Sequence, residues 1–181
     1  MEEKLTNSCS FSGVKPIMAD LPYPPIQVRD RNPAYANLLQ EDYCGAVSEL
    51  SAVAEYINNE IRISHRECAL ARTLLGIAMA EMMHLQKLGE LICLLGGRVS
   101  YEAVDCKGCR KLWTPAYLDI PEQKEQMLLA DIQAEQDAIR QYKGHIRVIR
   151  DECVRAVLER IIQDEEYHIM LLRNLLEQCK A

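Results

Sequence analysis

The chain has 181 residues, 49% hydrophobic and 27% charged, with a formal net charge of −6. This length allows one domain with a substantial core, and the acidic balance argues against a nucleic-acid or anionic-membrane surface. No uninterrupted apolar run reaches the ~18 residues of a membrane span, and MEEKLTNSCSFSG lacks the basic-then-apolar order of a secretory signal.

Residues 1–31 read as an extended arm, because Pro16, Pro22, Pro24 and Pro25 forbid a continuous helix. Asn32-Pro33 gives an N-cap followed by proline at the first helical position. A first helix is predicted over 33–60, with Tyr35, Leu39, Ala46, Val53 and Tyr56 on one face. Ser64-His65-Arg66-Glu67 matches a capping box and predicts a second helix over 65–95, ending at Gly96-Gly97. Residues 96–120 hold Gly96, Gly97, Gly108 and Pro115 without a sustained period, and read as a long crossover. A third helix is predicted over 121–148, starting at Asp119 or Ile120 before Pro121. A fourth is predicted over 152–178, capped by Asp151. Two antiparallel helix pairs joined by one long link are the connectivity of an all-α, ferritin-like four-helix bundle over 32–181. Helices near 28 residues would span about 42 Å, which leaves a small chain little room for another fold.

Certain polar residues interrupt the apolar rows. Glu49 lies on the row Tyr35, Asp42, Tyr56. His84 lies with Leu70, Ile77 and Leu91, and Glu81 with Leu74, Leu88 and Leu95. Glu135 lies with Leu128, Tyr142 and Ile149. His168 lies with Val154, Ile161 and Leu175, and Glu165 with Leu158 and Leu172. A lone carboxylate on such a seam is costly unless compensated. The pattern occurs twice: Glu49 precedes Glu81-Met82-Met83-His84 by 32 positions, and Glu135 precedes Glu165-Glu166-Tyr167-His168 by 30. Residues i and i+3 share a helix face, so one Glu and one His can reach a single cation. Two such pairs on facing helices hold two metals, and the lone Glu of each other helix bridges or chelates them. Four carboxylates then balance two divalent cations.

The segments GAVSELSAVAEY, AEMMHLQ, AEQDAIRQY and DEEYHIMLL resemble the ferritin-like dimetal-carboxylate superfamily, in particular its rubrerythrin, bacterioferritin and manganese-catalase branches. The resemblance implies the ligand set Glu49, Glu81, His84, Glu135, Glu165 and His168. Two departures stand out. Rubrerythrins carry a further carboxylate one turn after the third-helix Glu, where this chain has Ala138. They also often append a rubredoxin domain with two CxxC knuckles, where this chain has only Cys106-Lys107-Gly108-Cys109. Residues 33–58 look more like the first helix of manganese-catalase relatives.

Tyr56 and Tyr142 each follow their lone Glu by seven residues. Each either hydrogen-bonds a carboxylate across the bundle, the preferred reading, or fills the core. Asp42 either partners a histidine or, the preferred reading, is frayed or exposed; His65 reads as a first-turn surface residue, His145 as surface or interface, and Glu166 as facing solvent. Met79, Met82 and Met83 read as core filler. Cys106 and Cys109 bind zinc with further ligands, form a redox pair, or are idle thiols. The eight scattered cysteines suit free thiols in a reducing cytoplasm better than a disulfide framework.

The function expected is a dimetal oxidoreductase acting on H2O2 or O2, of the rubrerythrin-like peroxidase or manganese-catalase-like type. Two Fe ions are the first choice of cofactor, two Mn ions the alternative, and Zn a possible occupant on purification. A ferroxidase or iron-handling protein is the runner-up. A metal-binding or structural bundle without redox activity is the reading from another class. The expected partners are a small-molecule oxidant, an electron donor of unknown identity and a second copy in a homodimer; the sequence leaves open whether the arm wraps a neighbour.

Overall fold

The structure, a computed structural model, describes residues 9–104 and 108–180. Its helices are α1 (Pro33–Cys44), α2 (Glu49–Ile63), α3 (Cys68–Leu94), α4 (Lys124–Val148) and α5 (Glu152–Lys180). α2 pairs with α3 and α4 with α5, and the two antiparallel pairs form the four-helix bundle. The crossover between them carries a hairpin of β1 (Glu102–Val104) and β2 (Arg110–Leu112), with Ala103 opposite Lys111. A 3-10 turn over Pro115–Tyr117 follows.

The expected first helix is two helices. Gly45 ends α1 in an extended conformation and Ser48 starts α2, accepting from the amide of Ser51 at 3.3 Å. A Cβ on Gly45 would lie 2.6 Å from the Glu41 carbonyl oxygen. The break makes Glu49 the first residue of α2, where the exposed amides and helix dipole favour a carboxylate.

Two predicted starts also move. Ser64 is not an N-cap but lies just past the end of α2, its amide bonded to the Glu60 carbonyl. α3 begins at Cys68 with no side-chain cap. α4 begins at Lys124, after Pro121, and the Asp119 amide donates to Glu55. Asn32 and Asp151 cap as expected: Asn32 accepts from Ala34 and Tyr35, and Asp151 from Cys153 and Val154.

The apolar rows meet as predicted. Leu74, Ile77, Leu88, Leu91, Leu95, Leu128, Leu158, Ile161 and Leu172 are fully buried, in layers on either side of the polar seam residues. α3 is long and apolar enough, by length and composition, to cross a membrane. The expectation of no such segment counted only uninterrupted runs, and α3 spreads its few charges. Here it is a core helix of the bundle.

Residues 9–31 lie against their own bundle, between α3 and α5, a placement the sequence left open. The Ile17 amide donates to the Gly76 carbonyl at 2.9 Å, the Arg29 amide to Asp151 at 2.7 Å, and the Asn32 amide to the Leu95 carbonyl at 2.9 Å. Cys9 and Cys68 form a disulfide across 59 residues, with Cα atoms 5.2 Å apart, so these two are not the free thiols expected. The arm lays Cys9 beside the start of α3, a proximity that sequence spacing does not reveal. Cys44, Cys93, Cys153 and Cys179 are free.

Candidate metal centre

All six predicted side chains converge in the middle of the bundle. Glu49, Glu81, His84, Glu135, Glu165 and His168 are between 0% and 4% exposed. The two imidazole centroids are 6.3 Å apart. One ligand atom from each of Glu49, Glu81, His84 and Glu165 lies within 4.8 Å of the others, and the same holds for Glu81, Glu135, Glu165 and His168. Glu81 and Glu165 belong to both groups. Glu81 sits 3.0 Å from the Nδ1 atoms of both His84 and His168. Glu165 sits 3.2 Å from Nδ1 of His84 and 3.0 Å from that of His168. Glu49 reaches only His84, at 3.6 Å, and Glu135 only His168, at 3.4 Å. The arrangement is a pseudo-twofold one, with two shared carboxylates between two terminal ones.

The outer nitrogens fix the rings. Nε2 of His168 donates to the Ile17 carbonyl at 2.8 Å, and Nε2 of His84 to Asp164 at 3.1 Å. A carbonyl or carboxylate oxygen only accepts, so each Nε2 carries a hydrogen and each Nδ1 faces the carboxylates, where it ligates once its own proton is displaced. Asp164 also accepts from Tyr23 at 2.6 Å, the Ala19 amide at 2.7 Å and Arg160 at 2.6 Å. Burial works against its charge, but the bonds from His84, Tyr23 and Arg160 outweigh it and lower the carboxyl to about 2. Ile17, Tyr23 and Asp164 were not found from the sequence. The run Asp164-Glu165-Glu166 offered a signal, an acid beside a seam residue, but a backbone carbonyl leaves none.

The donor set fits a pair of cations. Oε1 of Glu81, Oε2 of Glu165 and Nδ1 of His168 are buried without a hydrogen-bond partner. Four carboxylates crowd two imidazoles in a buried space, and positive charge, as metal ions or as protons, is what satisfies them. Burial pushes Glu49 well up, and pushes Glu135 up to about 8, each helped by the neighbouring carboxylates. Burial also opposes the charge on Glu81, but His84 and His168 outweigh it and hold that carboxyl low. Burial disfavours both imidazolium forms, yet the carboxylates raise both rings well above the ordinary range. In the absence of an ion, protons take the place of the positive charge the site requires.

The tyrosines make the cross-bundle bonds preferred from the sequence: Tyr56 donates to Glu135 and Tyr142 to Glu49. Asp42 and His145 depart from expectation. They are 1% and 8% exposed and pair at 2.8 Å across α1 and α4. A histidine partner for Asp42 was the alternative reading, but no spacing within one helix identifies His145 as that partner. His65 lies exposed in the turn before α3, and Glu166 is exposed. Met82 is also exposed, not core filler. Cys106, and with it the expected Cys106–Cys109 pair, lies outside the described residues.

A cavity of about 200 Å³ between α2 and α4 leads to Glu49, Glu81, Glu135 and Glu165. Ala52, Ala134 and Ala138 keep it open, and Tyr117 and Asp119 of the crossover form part of its wall. Ala138, where a further carboxylate would stand in rubrerythrins, thus faces open space beside the site. The described lining residues include Glu55, Asp119, Asp131 and Asp137 but no lysine, arginine or histidine.

Comparison with known proteins agrees with this fold. A probable manganese catalase of Clostridium acetobutylicum is 30% identical over 172 residues, spanning 86% of this chain and 76% of the relative. The crystal structure of KatB, a manganese catalase from Anabaena, superposes with a TM-score of 0.77 at 24% identity, covering 90% of this chain and 80% of that one. Bacterioferritin BfrA of Mycobacterium tuberculosis superposes at 0.68 with 26% identity, covering 83% and 89%. The Ferritin-like domain family matches residues 69–181, the stretch that carries five of the six converging side chains. The chain belongs to the ferritin-like family, within the dimetal-carboxylate superfamily.

Proposed function

We propose that the protein is a dimetal oxidoreductase that disproportionates hydrogen peroxide, with manganese as the first metal and iron the second. The observation that carries this reading is the sharing of Glu81 and Glu165 by two donor groups. One ion would be held by Glu49 and His84, the other by Glu135 and His168, with Glu81 and Glu165 spanning both. Such a pair supplies two-electron redox chemistry, so that two peroxides give two waters and one dioxygen without an external donor. The carboxylate-rich donor set suits manganese, and the likeness to a probable manganese catalase supports that order.

The protein's own groups set the conditions. Tyr142 and Tyr56 hold the terminal carboxylates in one orientation. His84 and His168 are kept in the ligating tautomer by Asp164 and the Ile17 carbonyl. The cavity beside Ala134 and Ala138 admits a small neutral molecule while the apolar layers exclude bulk water.

A ferroxidase reading is favoured by one observation, the acidic lining of the cavity, which concentrates cations rather than peroxide. The test is reconstitution with Mn(II) or Fe(II), metal analysis, and an oxygen electrode. Two manganese ions per chain and dioxygen release from peroxide are expected. Fewer than one ion of either metal per chain overturns the metal centre. Rapid Fe(II) oxidation with release of Fe(III), and no dioxygen from peroxide, assigns the ferroxidase reading instead. A homodimer forms part of the proposal, and light scattering measures it.

A further inference from the structure

The arm touches both histidines from behind. His168 is oriented by the Ile17 carbonyl, and the Asp164 that orients His84 is held by the Ala19 amide and the Tyr23 hydroxyl. Arg160 ties the same stretch down, donating to Asp164 and to the carbonyls of Ala19 and Leu21 at 2.8 and 3.0 Å. Its guanidinium also lies 4.4 Å from the centre of the Tyr23 ring. Seen along the chain, these contacts lie between two anchors. The C-terminal anchor is the entry to α1, where Asn32 caps the helix and bonds to Leu95. The N-terminal anchor is covalent, the Cys9–Cys68 disulfide onto the first residue of α3.

We propose that the Cys9–Cys68 disulfide is a redox latch on the metal centre. Closed, it holds Ile17, Ala19 and Tyr23 as positioning residues for His168 and His84; open, it leaves that stretch anchored covalently at one end only. The proposal rests on the metal-centre reading above. A segment tethered at both ends has fewer open conformations available, so cutting one tether favours local opening. Opening removes the acceptor that fixes the His168 tautomer and two donors that hold Asp164. Partners of this kind, behind the ligands, govern metal retention.

The chemistry of the latch matches the chemistry of the site. Hydrogen peroxide closes it: one thiol is oxidised to a sulfenic acid as the O–O bond breaks and one water leaves. The second thiol then displaces the sulfenic oxygen as another water. The two sulfurs lose two electrons and the peroxide gains them. A reducing compartment opens the bond by returning two electrons and two protons. The centre would then retain its metals best when its oxidant is present.

The test uses the full-length Mn(II)-loaded protein, with and without a non-chelating phosphine. The phosphine takes the oxygen of one water, and the two protons go to the two thiolates. Metal release to a chromogenic chelator is followed by stopped flow, and amide exchange of residues 15–23 by mass spectrometry. Release is expected to be about tenfold faster after reduction, with loss of protection in the arm and recovery on peroxide treatment. The C9S/C68S variant should release quickly with or without phosphine. Tyr23→Phe, which keeps the disulfide, should also speed release while its remaining response to phosphine shrinks. Equal release rates for the oxidised and reduced parent, both holding two ions, overturn the latch and leave the metal centre standing. Failure of the oxidised parent to take up Mn(II) or Fe(II) overturns the metal reading, and the latch with it.

Discussion

Tyr56 of α2 donates its hydroxyl to Glu135 of α4, a carboxylate 79 residues away in the other half of the chain. Tyr142 of α4 returns the relationship, donating to Glu49 of α2. Each half of the bundle therefore aims the terminal carboxylate of the opposite half, and burial raises both phenols well above their ordinary range, so they remain donors. Replacing either by phenylalanine frees one carboxylate to rotate. Tyr142→Phe and Tyr56→Phe are each expected to weaken Mn(II) binding about tenfold with two ions still bound at saturation. Calorimetric titration measures this. Unchanged affinity in both variants would assign the tyrosines to packing alone.

Glu49 gives a prediction with opposite signs in two states. In the metal-free protein its carboxylate is buried beside Glu81 and Glu165, and burial and repulsion disfavour its charge. Gln keeps the oxygen that accepts from Tyr142 and removes the charge. Metal-free Glu49→Gln should be as stable as the parent or more stable, by up to about 2 kcal/mol. Metal should raise the parent's melting temperature strongly and the variant's only slightly, because stabilisation follows affinity. Thermal melts with and without Mn(II) settle both signs. A variant destabilised in both states would mean that Glu49 serves the fold and not an ion.

Most of the site was legible because helix periodicity speaks directly about faces. The rows through Glu81, His84, Glu165 and His168 are rows in the structure, and the polar interruptions meet where the rows meet. The break at Gly45 was not legible, since one glycine within a continuing apolar period does not distinguish a helix end from a tolerated residue. Asp42 and His145 meet only because α1 crosses α4, a tertiary fact. The arm was read as extended because of its prolines, but its work is done by the Ile17 carbonyl, which any residue type would supply.

Two buried groups outside the centre predict how stability depends on pH. Burial works against a charged His145, but the bonds to Asp42 and Glu41 outweigh it and lift the ring from 6.5 to about 9. This group's contribution is fully present below pH 6.5 and is lost as pH rises through about 9. Burial pushes Glu55 up from 4.5 to about 7, against the pull of its bond from the Asp119 amide. The native state keeps that proton longer than the unfolded chain, so stability falls as pH rises from 4.5 to about 7. Both slopes have the same sign. Glu55→Gln should flatten the lower part of the metal-free melting profile, gaining no more than about 3 kcal/mol at pH 8. His145→Gln should flatten the upper part, between pH 7 and 9, and lower stability at pH 6. Parallel profiles for parent and variants would show that neither group titrates in these windows.

Gly76 tests the arm without touching a ligand or a cysteine. It faces the arm on α3, and a Cβ built there would lie 2.7 Å from Cδ1 of Ile17 and 3.1 Å from the Lys15 carbonyl oxygen. The Ile17 side chain can swing away, but the Lys15 carbonyl belongs to the backbone that leads to the carbonyl holding His168. Gly76→Ala should therefore shift the arm outward by a few tenths of an ångström. Overpacking of this kind costs about 1–3 kcal/mol, partly offset by the better helix propensity of alanine, about 1 kcal/mol. Global stability should consequently change little, while Mn(II) release quickens and amide protection falls at Ile17 and Ala19. A variant with unchanged release and unchanged arm protection would show that the arm absorbs the methyl group, and that its register on α3 does not govern His168.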